Sequence, residues 1–145
     1  MKKLFLLAVV MFLLTVPAKA DKDYVITKNE LPAKARQFVD KHFASSKISY
    51  VKLERDLFER NYEIFFADGS KVEFARSGDW REVDCRYTEV PVTIIPADIQ
   101  SYIKSNFAEA KVLKIEYERG DYEVKLSNKL ELTFDKKFKI KNIDD

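Results

Sequence analysis

The sequence predicts an α+β protein built from two tandem α-β-β-β-β repeats, with helices packed on one face of an antiparallel sheet. Three observations predict it. A helical segment recurs in the second half of the chain. Apolar and charged residues alternate after each copy of it. Turn signals punctuate that alternation.

The recurrence is the primary signal. Leu31-Pro32-Ala33 through Phe43 aligns with Ile95-Pro96-Ala97 through Phe107 at an offset of 64, and Lys47-Ile48 continues it against Lys111-Val112. The offset falls to 60 where Tyr62-Glu63-Ile64 meets Tyr122-Glu123-Val124. A further fall to 58 is expected, with Val72-Glu73-Phe74 against Leu130-Glu131-Leu132 and Trp80 against Phe138. Shortened turns between equivalent strands would produce such a drift. The division that follows is an N-terminal extension at 21–28, repeat one at 29–86, a linker at 87–92 and repeat two at 93–145, the two repeats forming one domain.

Each repeat opens with a helix. Pro32 and Pro96 suit a first helical turn, where a missing N–H costs nothing. Ala35, Phe38, Val39 and His42 fall at i, i+3, i+4 and i+7, and Ile99, Tyr102, Ile103 and Asn106 repeat the stripe. That spacing is one face of an amphipathic helix.

Strands follow. In repeat one the apolar parity runs through Val51 and Leu53, then Tyr62, Ile64 and Phe66, then Val72 and Phe74, then Trp80 and Val83. In repeat two it runs through Ile115 and Tyr117, then Tyr122, Val124 and Leu126, then Leu130, Leu132 and Phe134, then Phe138 and Ile140. Asp68-Gly69, Ser77-Gly78-Asp79, Arg119-Gly120-Asp121, Ser127-Asn128 and Asp135-Lys136 mark turns. The opposite parity is charged, as in Lys114, Glu116 and Glu118. One apolar and one charged parity means an antiparallel sheet wetted on one face.

These features together resemble the PepSY-like, beta-lactamase-inhibitor-like family of small periplasmic bacterial proteins. The residues that carry the resemblance are Leu31-Pro32, Phe38 and Phe43, Asp68-Gly69, Val72-Glu73-Phe74, Gly78-Asp79-Trp80, Ile95-Pro96, Phe107 and Tyr122-Glu123-Val124. The resemblance covers essentially the whole chain after residue 20. It implies tandem repeats whose sheets face one way and helices the other, and export to the periplasm. It implies no particular activity. In the beta-lactamase inhibitor that the family resembles, a hairpin loop enters the target's cleft, which is an analogy of fold.

Residues 1–20 fit a cleavable secretory signal: Lys2-Lys3, an apolar run from Leu4 to Leu14, a break at Thr15-Val16-Pro17, and a small-x-small pattern at Ala18-Lys19-Ala20. The apolar run is shorter than the ~20 residues that span a bilayer. Cleavage after Ala20 removes three lysines and no acid, so the net charge moves from +2 to −1. A near-neutral chain without a basic face argues against nucleic acid and against attachment to a membrane surface. With Cys85 as the single cysteine, no intrachain disulfide can form.

No catalytic, metal or cofactor constellation stands out, so the sequence predicts a non-enzyme. His42 is the single histidine, at the end of the first helix, where a half-buried structural role is expected. Cys85 would need a base and an orienting group to serve as a nucleophile, with His42 the one histidine available. No Gly-rich phosphate loop, CxxC or EF-hand loop occurs. Acids at the turns and at Asp144-Asp145 could meet calcium weakly, and solvated acids explain them as well.

Two places suit recognition. The segment Arg55-Asp56-Leu57-Phe58-Glu59-Arg60 is four residues longer than its counterpart at Gly120, which puts Leu57 and Phe58 near a hairpin tip. Tyr50 and Phe65 interrupt the charged parity of repeat one, with Trp80 either bordering them or in the core. Burial of this patch under Tyr24-Val25-Ile26 or under the second sheet is the alternative. The function expected is an exported non-catalytic binding or inhibitor-like protein of the periplasm. It would meet another envelope protein or peptide through Tyr50, Leu57, Phe58, Phe65 and Trp80. The alternative is a small-ligand or calcium-responsive sensor. The oligomeric state is left open.

Overall fold

Period-two alternation forces each of these segments to place one row of side chains on either side of a strand, and the turns decide how the rows meet. The computed structural model describes residues 22–145; the expected signal at 1–20 and its cleavage site lie outside the described residues. The elements are β1 (Lys22–Ile26), α1 (Ala33–His42), β2 (Ile48–Arg55), β3 (Arg60–Phe66), β4 (Lys71–Ala75), β5 (Trp80–Asp84), α2 (Ala97–Asn106), β6 (Val112–Glu118), β7 (Asp121–Leu126), β8 (Glu131–Phe134) and β9 (Ile140–Asp144). Short 3-10 turns at Lys28–Glu30 and Val92–Ile94 precede the helices. All nine strands form one antiparallel sheet in chain order. The segment read as an N-terminal extension is thus largely a ninth strand, which pairs with β2 from Lys22↔Arg55 to Ile26↔Val51.

Pro32 and Pro96 sit one position before the helices, and their carbonyls accept the first helical bonds from Arg36 and Gln100. Ala35 and Val39 of α1 and Ile99 and Ile103 of α2 are buried against the apolar parity of the sheet. Ile64, Val72, Phe74, Val83, Ile115 and Val124 are wholly buried beneath them, in one continuous core. The repeats join at β5 and β6, where Val83 faces Ile115.

The expected offset of 58 is corrected. Gly78 donates to the Ala75 carbonyl and Phe138 donates to Asp135, both at 2.9 Å. The bulge between Glu73 and Phe74 recurs between Thr133 and Phe134. The offset therefore stays at 60 through the last strand. Phe138 is the counterpart of Gly78, and Trp80 is the counterpart of Ile140. Sequence likeness misled because Val72-Glu73-Phe74 and Leu130-Glu131-Leu132 share a pattern that strand register does not respect.

That correction explains a difference between the repeats. Gly78 has φ +87°, and a Cβ there would lie 3.0 Å from Pro32 Cβ and 3.2 Å from the Ala35 amide nitrogen. The turn and α1 touch because both are small. Repeat two has Ile99 and Phe138 at these positions. Phe138 keeps the left-handed φ of +63°, and its ring stacks at a tilt on Tyr122 at 5.5 Å. A left-handed non-glycine costs about 1–2 kcal/mol, which burial of the ring offsets.

Gly78→Ala is expected to lower unfolding stability by about 2–3 kcal/mol, from left-handed strain together with overpacking. Gly120→Ala, at φ +89° with its nearest neighbour at 3.9 Å, is expected to lose only about 1 kcal/mol. Urea unfolding of the two variants checks the contrast.

Candidate functional site

Strand register arranges the polar face of the sheet into rows. Glu63, Glu73, Glu82, Glu116 and Glu123 stand directly opposite one another across β3, β4, β5, β6 and β7. Like charges directly opposed are destabilising. Lysines from the adjoining positions interleave with them. Lys52 reaches Asp23, Glu54 and Glu63 at 3.5, 2.6 and 2.9 Å. Lys71 joins Glu63 to Glu82 at 3.3 and 3.1 Å. Lys114 joins Glu82 to Glu116 at 3.0 and 3.4 Å. An alternating chain of charges therefore runs from β1 to β6 and crosses from repeat one into repeat two.

Not every glutamate is neutralised. Burial would raise Glu82, but hydrogen bonds from Lys114 and Lys71 outweigh it and hold the carboxyl below its ordinary range. Glu73 has no ion pair among the described residues; burial, together with the charges of Glu63 and Glu82, pushes it up. Glu123 is raised too, first by burial and then by Glu131 and Glu116. Sequence reasoning missed this row. Its signal was the outward parity of all five glutamates, but alignment across strands needs the register.

The candidate residues fall in three places. Tyr50 and Phe65 are opposite each other on the polar face, with rings stacked at 4.5 Å and 14°. Tyr50 is 44 % exposed, so neither β1 nor the second repeat covers the pair. Leu57 and Phe58 occupy the β2–β3 tip, 59 % and 92 % exposed. Asp56 closes that loop by donating its amide to the Glu59 carbonyl. The tip lies roughly 20 Å along the strand from Tyr50. Trp80 is on the opposite face. It stands across from Phe74, packs on the core, and approaches Phe38 at 6.4 Å and Tyr122 at 6.5 Å. It shares no surface with Tyr50 and Phe65.

His42 and Cys85 have separate partners. His42 Nδ1 meets Thr93 Oγ1 at 2.8 Å, and its ring packs on Phe38 at 4.6 Å. Burial, with help from Lys41, lowers its pKa. The buried Cys85 thiol is pushed up by its burial, against hydrogen bonds with Ser70 and Thr88. A raised thiol pKa is the reverse of nucleophile activation. Among the described residues, no three His, Cys, Asp or Glu side chains gather to hold a metal ion.

The profile of the beta-lactamase-inhibitor-like, PepSY-like family matches residues 18–64 and 60–142. The chain belongs to that family. Its two matched segments fit the tandem repeats seen in the sheet. No curated protein is significantly similar to it. Solved structures that share the fold include three periplasmic proteins. A candidate calcium-regulated periplasmic protein from Bacteroides thetaiotaomicron is 50 % identical, with a TM-score of 0.84, covering 85 % of this chain and 97 % of that one. A periplasmic protein from Bacteroides vulgatus is 44 % identical, with a TM-score of 0.84, covering 87 % and 99 %. A second Bacteroides vulgatus periplasmic protein, of unknown function, is 40 % identical, with a TM-score of 0.80, covering 86 % and 100 %. Among the described residues, no helix is long and apolar enough to cross a membrane.

The glutamate row makes two opposite predictions about pH. A raised folded pKa stabilises below the unfolded value and loses that stability as pH rises through the folded one. Glu73→Gln is therefore expected to gain about 0.5 kcal/mol at pH 7, a figure reduced for solvent screening, with no gain below about pH 4.5. A lowered pKa works the other way. Glu82→Gln should lose about 1 kcal/mol at pH 7, and the loss should vanish as pH falls below the carboxylate range. Denaturant titrations between pH 3 and pH 8 read both.

Proposed function

We propose that the protein is exported to the periplasm, has no catalytic role, and binds another envelope protein or peptide through the β2–β3 hairpin and the adjoining polar face of repeat one. The observation that carries this reading is the tip. Leu57 and Phe58 project from a hairpin that is longer than its repeat-two counterpart, where Glu118 and Asp121 are joined by Arg119-Gly120 alone. Nothing in the packing of the fold needs a phenylalanine 92 % exposed. Exposed apolar side chains at a hairpin tip gain free energy when a partner covers them. Tyr50 and Phe65, stacked on the same hairpin, supply a second anchor of the type that dominates interfaces. Family membership and the periplasmic neighbours support the compartment.

Leu57→Ala/Phe58→Ala should leave stability within about 0.5 kcal/mol of wild type, because both side chains are solvated. The same variant, with Phe65→Ala added, should lose the proteins that immobilised wild type retains from periplasmic extract. Recovery of the same proteins by both would remove the hairpin surface from the account.

A calcium-responsive protein is the second reading. It draws on Glu73 and Glu123 of the glutamate row, which have no ion pair among the described residues, and on the candidate calcium-regulated neighbour from Bacteroides thetaiotaomicron. Millimolar calcium should then raise Tm more than sodium chloride of equal ionic strength, and Glu73→Gln/Glu123→Gln should abolish the difference. Equal shifts from both salts would eliminate it.

A further inference from the structure

Constant offsets let each position in one repeat be compared with its counterpart in the other. One comparison goes beyond the proposed hairpin surface and lies on the helix side of the sheet. In repeat one the space between the 3-10 turn, α1 and the start of β2 is spanned by an ion pair between Lys28 and Asp40. Arg36, on the same face of α1, reaches the Asn29 carbonyl at 3.5 Å. Charged side chains thus bridge this region in repeat one.

Repeat two has kept the framework and lost the bridging charges. At an offset of 64, Val92 replaces Lys28, Lys104 replaces Asp40, and Gln100 replaces Arg36. Gln100 turns toward the backbone and donates to the carbonyls of Val92 at 2.9 Å and Ile95 at 2.6 Å. What results is an open groove of about 230 Å³ between the 3-10 turn, α2 and β6. Its floor includes Val90, Ile95, Ile103 and Val112, all buried. Val92 stands at its mouth, 60 % exposed. Glu89 and Lys104 line it as well, both exposed and neither in an ion pair among the described residues.

The lining states what would fill it. An apolar floor accepts an aliphatic or aromatic side chain. Lys104, a cation where repeat one has the acid Asp40, has no ion pair among the described residues and accepts a carboxylate. Glu89 on the same rim, also without an ion pair among the described residues, accepts an ammonium group. We propose that this groove binds a small zwitterion with an apolar side chain, namely a free hydrophobic amino acid such as leucine. The side chain lies on Val90, Ile95, Ile103 and Val112, the carboxylate pairs with Lys104, and the ammonium pairs with Glu89. For a ligand of this size in a shallow groove, the dissociation constant should be on the order of 1 mM.

The test is an NMR titration of the ¹⁵N-labelled mature protein with leucine. Saturable shifts are expected at Glu89, Val92, Gln100 and Lys104, with the hairpin amides of Leu57 and Phe58 unmoved. Leucinamide, which lacks the carboxylate, and 4-methylpentanoate, which lacks the ammonium, should each bind at least 5-fold more weakly. Val92→Lys/Lys104→Asp rebuilds the repeat-one ion pair, an arrangement this scaffold already holds, and should abolish the shifts while the rest of the spectrum is preserved. Absence of saturable shifts in wild type up to 20 mM leucine would overturn the proposal. So would shifts that persist unchanged in the Val92→Lys/Lys104→Asp variant, or that move the hairpin instead.

Discussion

The pairing of β5 with β6 is the contact on which the rest of this structure depends. Three register pairs, Glu82↔Glu116, Val83↔Ile115 and Asp84↔Lys114, turn two repeats into one sheet. Cys85 and Val90 extend the seam by donating to the carbonyls of Leu113 and Val112, each at 2.8 Å. Below the seam, Val83 and Ile115 merge two apolar faces into one core. Above it, Glu82 accepts from Lys71 of repeat one and Lys114 of repeat two. A single junction thus carries the backbone ladder, the core and the charge chain. Had the repeats met by their helices instead, each sheet would end in an exposed edge at this point, with unpaired N–H and C=O groups.

Most of the scaffold was legible because it rests on local periodicity. The helical stripes, the strand parities and the glycine turns each follow from a few neighbouring residues, and most of them recur in the structure; Leu130 and Phe138, read as strand residues, lie outside the strands at turns, and Asn106 is exposed. The register of β8 and β9 was not legible. Leu130-Glu131-Leu132 looks like Val72-Glu73-Phe74, yet the turn hydrogen bond of Phe138 shows that Leu132-Thr133-Phe134 is the true counterpart. β1 was not legible either, because Lys22–Ile26 is mostly exposed and gains its strand form from pairing with β2. The candidate surface divides in the same way. Exposure of Leu57 and Phe58 follows from hairpin length, whereas the placement of Trp80 depends on a bulge between Glu73 and Phe74. The glutamate row required five strands to be in register at once.

The two repeats show how one framework takes on different surfaces. Equivalent turns, helices and bulges are retained at fixed offsets, so the backbone hydrogen bonds are the shared component. Small residues in repeat one, Ala35 and Gly78, bring helix and turn into contact; Ile99 and Phe138 stand at the same points in repeat two. Repeat one has the long hairpin and the stacked Tyr50–Phe65 pair. Repeat two has the short hairpin and the open groove beside α2. Fold conservation and surface divergence coexist because core positions are constrained by packing, while outward positions are constrained mainly by solvation.

Native-state hydrogen exchange of residues 21–145 tests the seam most directly. If the nine strands form one cooperative sheet, the amides of Cys85 and Val90, which bond across the junction, should exchange only through global unfolding, with the same opening free energy as Ile64 and Val124 in the centre of each repeat. Opening of Cys85 and Val90 at a free energy well below that of both centres, with the two repeats then unfolding separately, would contradict the account.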